Sequence, residues 1–179
     1  MSAHLIEAVQ ATLPGSCCTV GLMTGSTIGS AMIEGVGTWD VGPLDNDTAA
    51  DWCRELHDAP AGERVAMIRD ALTVVVGHDA GAYLDDDFAV EAIAAAAVVA
   101  AQLPGGPRLD SPYAPDFVRA GGTVDVPDGL PSLALRALDR IDGANSALPG
   151  LWEDGYAVVL ERRRPIRTAL ERAAGSSYG

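Results

Sequence analysis

Between Phe88 and Leu103 the chain reads FAVEAIAAAAVVAAQL, broken only by Glu91 and Gln102. A helix built from such residues has small side chains on every face, so it belongs in the middle of a domain with neighbours all around it. The run is shorter than the ~20 residues that a membrane span needs, and Glu91 interrupts it. Asp85, Asp86 and Asp87 precede it, where the positive end of the helix dipole favours acids. Pro104-Gly105 ends it. One buried helix over about 86–103 therefore organises the rest of the chain.

The flanking sequence supplies its partners. Ala49, Trp52, Cys53 and Leu56 follow the i, i+3, i+4, i+7 rule, which predicts a helix over 46–58. Val65, Ile68, Leu72, Val75 and Val76 predict another over about 61–76, with Gly77 as its stop. Residues 104–127 are rich in Pro and Gly, with one helical turn at Asp116–Ala120. Ala134, Leu135, Leu138 and Ile141 mark a helix over about 130–142, and a short one follows around Ala147–Trp152. A last helix over about 155–173 turns Tyr156, Val159, Leu160, Ile166, Leu170 and Ala173 inward, with a kink or restart at Pro165. No repeat is visible. Helix after helix with few strand patterns predicts an all-α fold, a compact bundle of about five to six helices. Its domain spans 36–174. Residues 175–179 form a tail, and residues 1–35 an extension of different character. That extension holds one amphipathic helix with Leu5, Ile6, Val9 and Leu13 on a face, then a Gly-, Ser- and Thr-rich stretch.

Charge narrows the chemistry. The formal net charge is −13, and all twelve basic residues are Arg. Without Lys there is no Schiff base, no Walker A loop and no S-x-x-K acyl-enzyme motif. Binding a polyanion needs clustered cations, so nucleic acid and anionic membranes are excluded as partners. Cys17, Cys18 and Cys53 form no C-x-x-C, and no zinc knuckle or redox pair is expected. The first residues carry neither Lys nor Arg, so no secretory signal is expected. The expectation is a cytoplasmic protein with reduced thiols and no cofactor.

One stretch stands out for site chemistry: GTWDVGPLDNDTAADW, residues 37–52. Gly42-Pro43 sets a turn, Asp45-Asn46-Asp47 offers capping oxygens, and Leu44 staples the chain to the coming helix. Trp39 packs back on that helix in this reading. A hard-cation site using Asp40, Asp45, Asp47 and Asp51 is the sharper alternative. The calcium-loop pattern fails, because from Asp45 the fifth, sixth and twelfth positions are Ala49, Ala50 and Leu56. The candidate motif, structural or partner-binding, is therefore Trp39, Gly42, Pro43, Asn46, Asp47, Asp51 and Trp52, with no metal. His57 closes its helix, a favourable place for a donor. There is no H-E-x-x-H and no G-x-S-x-G elbow around His4, His57 or His78. Arg162-Arg163-Arg164 with Arg167 reads as a solvated face paired with Glu161 and Glu171.

Gly37, Thr38, Trp39, Gly42, Pro43, Leu44, Asn46, Asp47, Ala49, Asp51 and Trp52 resemble the opening motif of a family of small bacterial proteins known as a domain of unknown function. Its members begin Met-Gly-[Thr/Ala]-Trp and continue Gly-Pro-[Phe/Leu]-x-Asn-Asp-x-Ala-x-Asp-[Trp/Phe]. The Ala-rich helix, Asn145-Ser146 and Trp152 resemble later segments, and the resemblance covers about 36–173. Ala97 and Ala147 stand where members often carry Glu, which lowers the expectation of a shared polar or metal site. Val36 takes the place of the family's Met. That makes Val36 or Met32 an alternative start, with residues 1–35 either an added extension or a genuine arm.

The resemblance implies no activity. The residues favour a small acidic, non-enzymatic binding or regulatory domain with a basic protein partner, an immunity- or inhibitor-type role among them. The competing expectation is a carboxylate-based, metal-assisted hydrolase using Asp45, Asp47, Asp51 and Asp85 to Asp87. The absence of a Glu-x-x-His pair counts against it.

Overall fold

The structure, a computed structural model, describes residues 42–176. Trp39, Asp40, the N-terminal helix expected before Pro14, the Gly-rich stretch, Cys17, Cys18 and the end of the tail lie outside the described residues. Seven α-helices follow in order: α1 (Asp47–Asp58), α2 (Arg64–Gly77), α3 (Asp86–Gln102), α4 (Asp116–Arg119), α5 (Leu130–Ile141), α6 (Ala147–Trp152) and α7 (Tyr156–Ser176). A 3₁₀ turn, Glu153–Gly155, joins the last two. The fold is all-α, with no strand among the described residues; the α4 turn and α6 bring the helices to seven.

The Ala-rich helix is central, as its composition requires. Every residue of α3 from Ala92 to Ala100 is buried, and it packs against α1, α2, α5, α6 and α7. Ala side chains let those neighbours approach closely, while Leu56, Ile68, Leu72, Leu130, Ile141 and Leu170 supply bulk from outside. Each such side chain contributes about 1.5–3 kcal/mol on burial. Ala97 is fully buried and Ala147 nearly so, which makes both positions core. After α3, residues 103–106 turn sharply. Gly106 donates to the Leu103 carbonyl at 2.9 Å, and Gly105 takes φ 67°, a conformation glycine adopts without strain.

Three local features depart from expectation. Helix α2 starts at Arg64, because Glu63 N–H bonds the Pro60 carbonyl and closes a turn first. Arg64 then reaches back to the carbonyls of Ala59 and His57 at 3.1 and 2.9 Å, capping the end of α1. Pro165 does not restart the last helix, since α7 runs through it. Proline removes one N–H, so the Glu161 carbonyl loses its partner. Both residues face solvent, where water replaces that bond. Leu160, expected inside, is 40 % exposed, whereas Val159, Ile166 and Leu170 are buried.

A short clasp closes one side of the bundle. Leu84 N–H bonds Asn145 O at 2.9 Å, and Ala147 N–H bonds Leu84 O at 3.0 Å, a lone parallel bridge. Arg140 donates to the Ala82 and Asn145 carbonyls at 2.7 and 3.2 Å. The Asn145 amide donates to Ala80 O at 3.1 Å. These bonds fix the loop that leads into the acidic start of α3.

Candidate functional site: an acidic groove between α1 and α3

The start of α1 is set by Asn46. Its backbone is extended, and its Oδ1 accepts the Ala49 N–H at 2.8 Å, satisfying one of the free donors of the first turn. Asp45 does not cap. It accepts the Ser111 hydroxyl at 2.7 Å, which ties the turn before α1 to the loop after α3. Ala49, Trp52, Cys53 and Leu56 then face the core. Burial pushes the Cys53 thiol up to about 12, so it carries no thiolate near neutral pH and is inert.

Placing those residues inward forces Thr48, Asp51 and Glu55 to one flank of α1. On α3, burial of Val90 and the alanines leaves Asp87, Phe88 and Glu91 on the flank facing them. The hydroxyl of Thr48 donates to Asp87 Oδ1 at 3.1 Å and fastens the two helix starts together. Between them runs a groove of about 450 Å³. Five carboxylates line it: Asp51 and Glu55 from α1, Asp85 at the cap of α3, and Asp87 and Glu91 within α3. Trp52 and Phe88 add apolar surface, and no cation is among the lining residues. Arg54 pairs with Asp51 at 2.8 Å, but both side chains are largely in solvent, where such a pair is worth little.

Like charges four residues apart on a helix repel, and here two such pairs face each other. Glu91 records the result. Its carboxyl lies above the ordinary range, first because it is partly buried, then because Glu55 and Asp87 are near. Asp86 is pushed the same way, again chiefly by burial. The groove is thus an anionic cleft whose own charges oppose one another, and a cation entering it relieves that repulsion.

The motif residues are divided by the fold. Asp51 and Trp52 line this groove. Gly42, Pro43 and Asp45 line a different one beside α7. Asn46 is a cap, and Asp47 is exposed in the first turn of α1. Asp51, Asp85 and Asp87 line one groove, without the convergence at metal distance that the carboxylate reading requires, and Asp45 and Asp47 are not among its lining residues. No group of three His, Cys, Asp or Glu side chains among the described residues has metal-binding geometry. Glu55, Glu91 and Phe88 are not among the site residues expected from the sequence. The one signal for the two glutamates is the four-residue spacing of Asp51 with Glu55 and of Asp87 with Glu91.

The arginine run also divides. Arg164 pairs with Glu161 at 3.0 Å in solvent, as expected. Arg163 does not join a solvated face. It is buried, and its Nη2 donates to Asp142 Oδ1 and to the Tyr156 hydroxyl, each at 2.9 Å. It sits there because 163 lies on the apolar stripe of Val159, Ile166 and Leu170.

Fold and groove together define a small all-α domain with an anionic cleft between two helix starts. The chain belongs to the family described as Domain of unknown function (DUF4259), which it matches over residues 37–174. No curated protein and no solved structure matches it. No helix among the described residues is long and apolar enough to cross a membrane.

Proposed function

We propose that this domain is a non-enzymatic binding module that takes a basic segment of a partner protein into the α1–α3 groove. The observation that carries the reading is the convergence of five carboxylates from two helices on one cleft with no lining cation. Phe88, 44 % exposed at its edge, offers a ring face to a guanidinium or ammonium group. The formal net charge of −13 adds long-range attraction for a basic partner and speeds encounter. A regulatory or inhibitor-type role follows from such binding without any reacting group. The metal-assisted hydrolase reading has less support, since the acids of the groove do not gather in threes at metal distance among the described residues.

Titration calorimetry with an eight-arginine peptide tests this. Any protein of this charge attracts such a peptide, so the comparison is between two variants of equal charge change. One carries Asp51→Asn, Glu55→Gln, Asp87→Asn and Glu91→Gln. The other neutralises Asp70, Asp125, Asp128 and Glu171, which lie outside the groove. The groove variant is expected to lose at least tenfold in affinity at ~0.15 M salt and the control under threefold, because contact charges are screened less than distant ones. Equal losses in both would refute a specific groove.

A further inference from the structure

A third pocket, of about 330 Å³, lies between α5 and α7, and Arg163 is one of its lining residues. Leu138, Ala157 and Leu160 give it an apolar wall, while Asp142, Glu161, Arg164 and Arg167 supply charge beside Arg163. Two of these residues stand at a disadvantage. Arg163 is 4 % exposed, yet three of its five N–H groups, one on Nε and two on Nη1, have no acceptor. A buried donor without a partner costs free energy and calls for a physical reason. Leu160, expected inside by its spacing, is 40 % exposed on the wall of the same pocket. The other charges are matched. Asp142 accepts from Tyr156, Arg163 and Arg167, Glu161 accepts from Arg164, and Arg167 also pairs with Asp139 at 2.8 Å. The Arg163 guanidinium is held where it is, because its Nη2 bonds Asp142 and Tyr156 and its Cζ lies 5.5 Å from the centre of the Tyr156 ring.

We propose that this pocket binds a small organic monocarboxylate, with its carboxylate on the free N–H groups of Arg163 and its aliphatic chain along Leu138, Ala157 and Leu160. A carboxylate only accepts hydrogen bonds and has about four lone-pair sites, which suits a guanidinium with donors to spare. Such bonds are charge-assisted, and they strengthen where water is kept out, as it is from Nε and Nη1. The aliphatic chain covers Leu160, so one ligand answers both disadvantages. Apolar walls with a few placed polar groups are the usual make-up of a small-molecule site. The Glu161 and Arg164 side chains are largely in solvent and form the movable part of the wall. The proposal is independent of the acidic groove, which shares no lining residue with this pocket.

The test is NMR of the full ¹⁵N-labelled chain titrated with hexanoate at constant ionic strength. The Nε–H resonance of Arg163 is assigned by its loss in Arg163→Met. Hexanoate is expected to move that resonance downfield and saturably, together with the amides of Ala157 and Leu160, and to leave those of Glu55 and Glu91 in place. Two further probes separate the parts of the ligand: 1-hexanol keeps the chain without the carboxylate, and inorganic phosphate is an anion without the chain. Each is expected to bind at least tenfold more weakly than hexanoate. Arg163→Met should weaken hexanoate by about tenfold or more, the loss of a hydrogen bond to a charged group. Leu160→Ser alters an exposed residue, leaves Arg163 in place, and should weaken hexanoate without weakening phosphate. An Arg163 Nε–H that hexanoate leaves unmoved would overturn the proposal. So would 1-hexanol binding as tightly as hexanoate, which would leave only an apolar dimple, or phosphate doing so, which would leave a plain anion site.

Discussion

Arg163 and Asp142 meet at 2.9 Å near the base of the α5–α7 packing, with the Arg163 side chain 5 % exposed and that of Asp142 23 %. The pair is unequal. Asp142 has other donors, the Tyr156 hydroxyl at 2.6 Å and Arg167 at 3.4 Å. Arg163 has only Asp142 and Tyr156, and its Nε and Nη1 find no acceptor.

That inequality predicts an asymmetric response. Asp142→Leu leaves a buried guanidinium without its anion and should cost about 3–5 kcal/mol. Arg163→Met keeps the packing, removes two unsatisfied donors and leaves Asp142 partnered, so its cost should stay near 1 kcal/mol. Urea denaturation of both variants measures the order; a larger loss for Arg163→Met would contradict it.

Tyr156 gives the same cluster a pH signature. Burial first, then its hydrogen bond to Asp142, pushes the phenol up to about 12. The folded state therefore holds this proton more tightly than the unfolded chain, where the phenol ionises near its ordinary ~10. Its stabilisation is complete below ~10 and is lost as pH rises towards 12. Stability measured between those limits should fall in the native chain and fall less in Tyr156→Phe. Parallel curves would remove the proton linkage.

The turn and cap before α1 separate into two magnitudes. Asn46→Ala should cost about 0.5–2 kcal/mol through loss of the bond to Ala49 N–H. Trp52→Ala should cost more, about 3–5 kcal/mol, because the indole is 5 % exposed and leaves a cavity. Equal losses would mean that the cap or the indole acts otherwise than these contacts imply.

Glu91 offers the reverse sign from a stabilising carboxylate. Its folded pKa is raised, so its charged form opposes folding above the unfolded pKa, and protonation on acidification relieves this. Glu91→Gln should raise the denaturation midpoint at pH 7, and the gain should vanish once pH falls below the carboxylate range. A variant less stable than the native chain at pH 7 would show that Glu91 has a favourable partner.

The helices were legible in sequence because each has its own apolar period. Ala49, Trp52, Cys53 and Leu56 are buried as their spacing requires, and an alanine run such as α3 fits only at the centre. The burial of Arg163 was not read from the sequence: 159, 163, 166 and 170 form one stripe, but a run of three Arg suggests solvent more strongly than it suggests a core. What no local pattern encodes is which helices stand side by side. Asp51 and Glu55 join Asp87 and Glu91 only because both helix starts are tied through Thr48. Likewise, nothing near Asp45 in sequence points to Ser111 as its partner.

Backbone amide NMR of the ¹⁵N-labelled chain, titrated with a short arginine peptide, reads the acidic groove most directly. Saturable shifts are expected at Thr48, Asp51, Glu55, Phe88 and Glu91, weakening as pH falls and Glu91 takes up its proton. Binding that leaves these five amides unmoved, or that spreads without saturation over the whole acidic surface, would contradict a groove built to receive a basic partner.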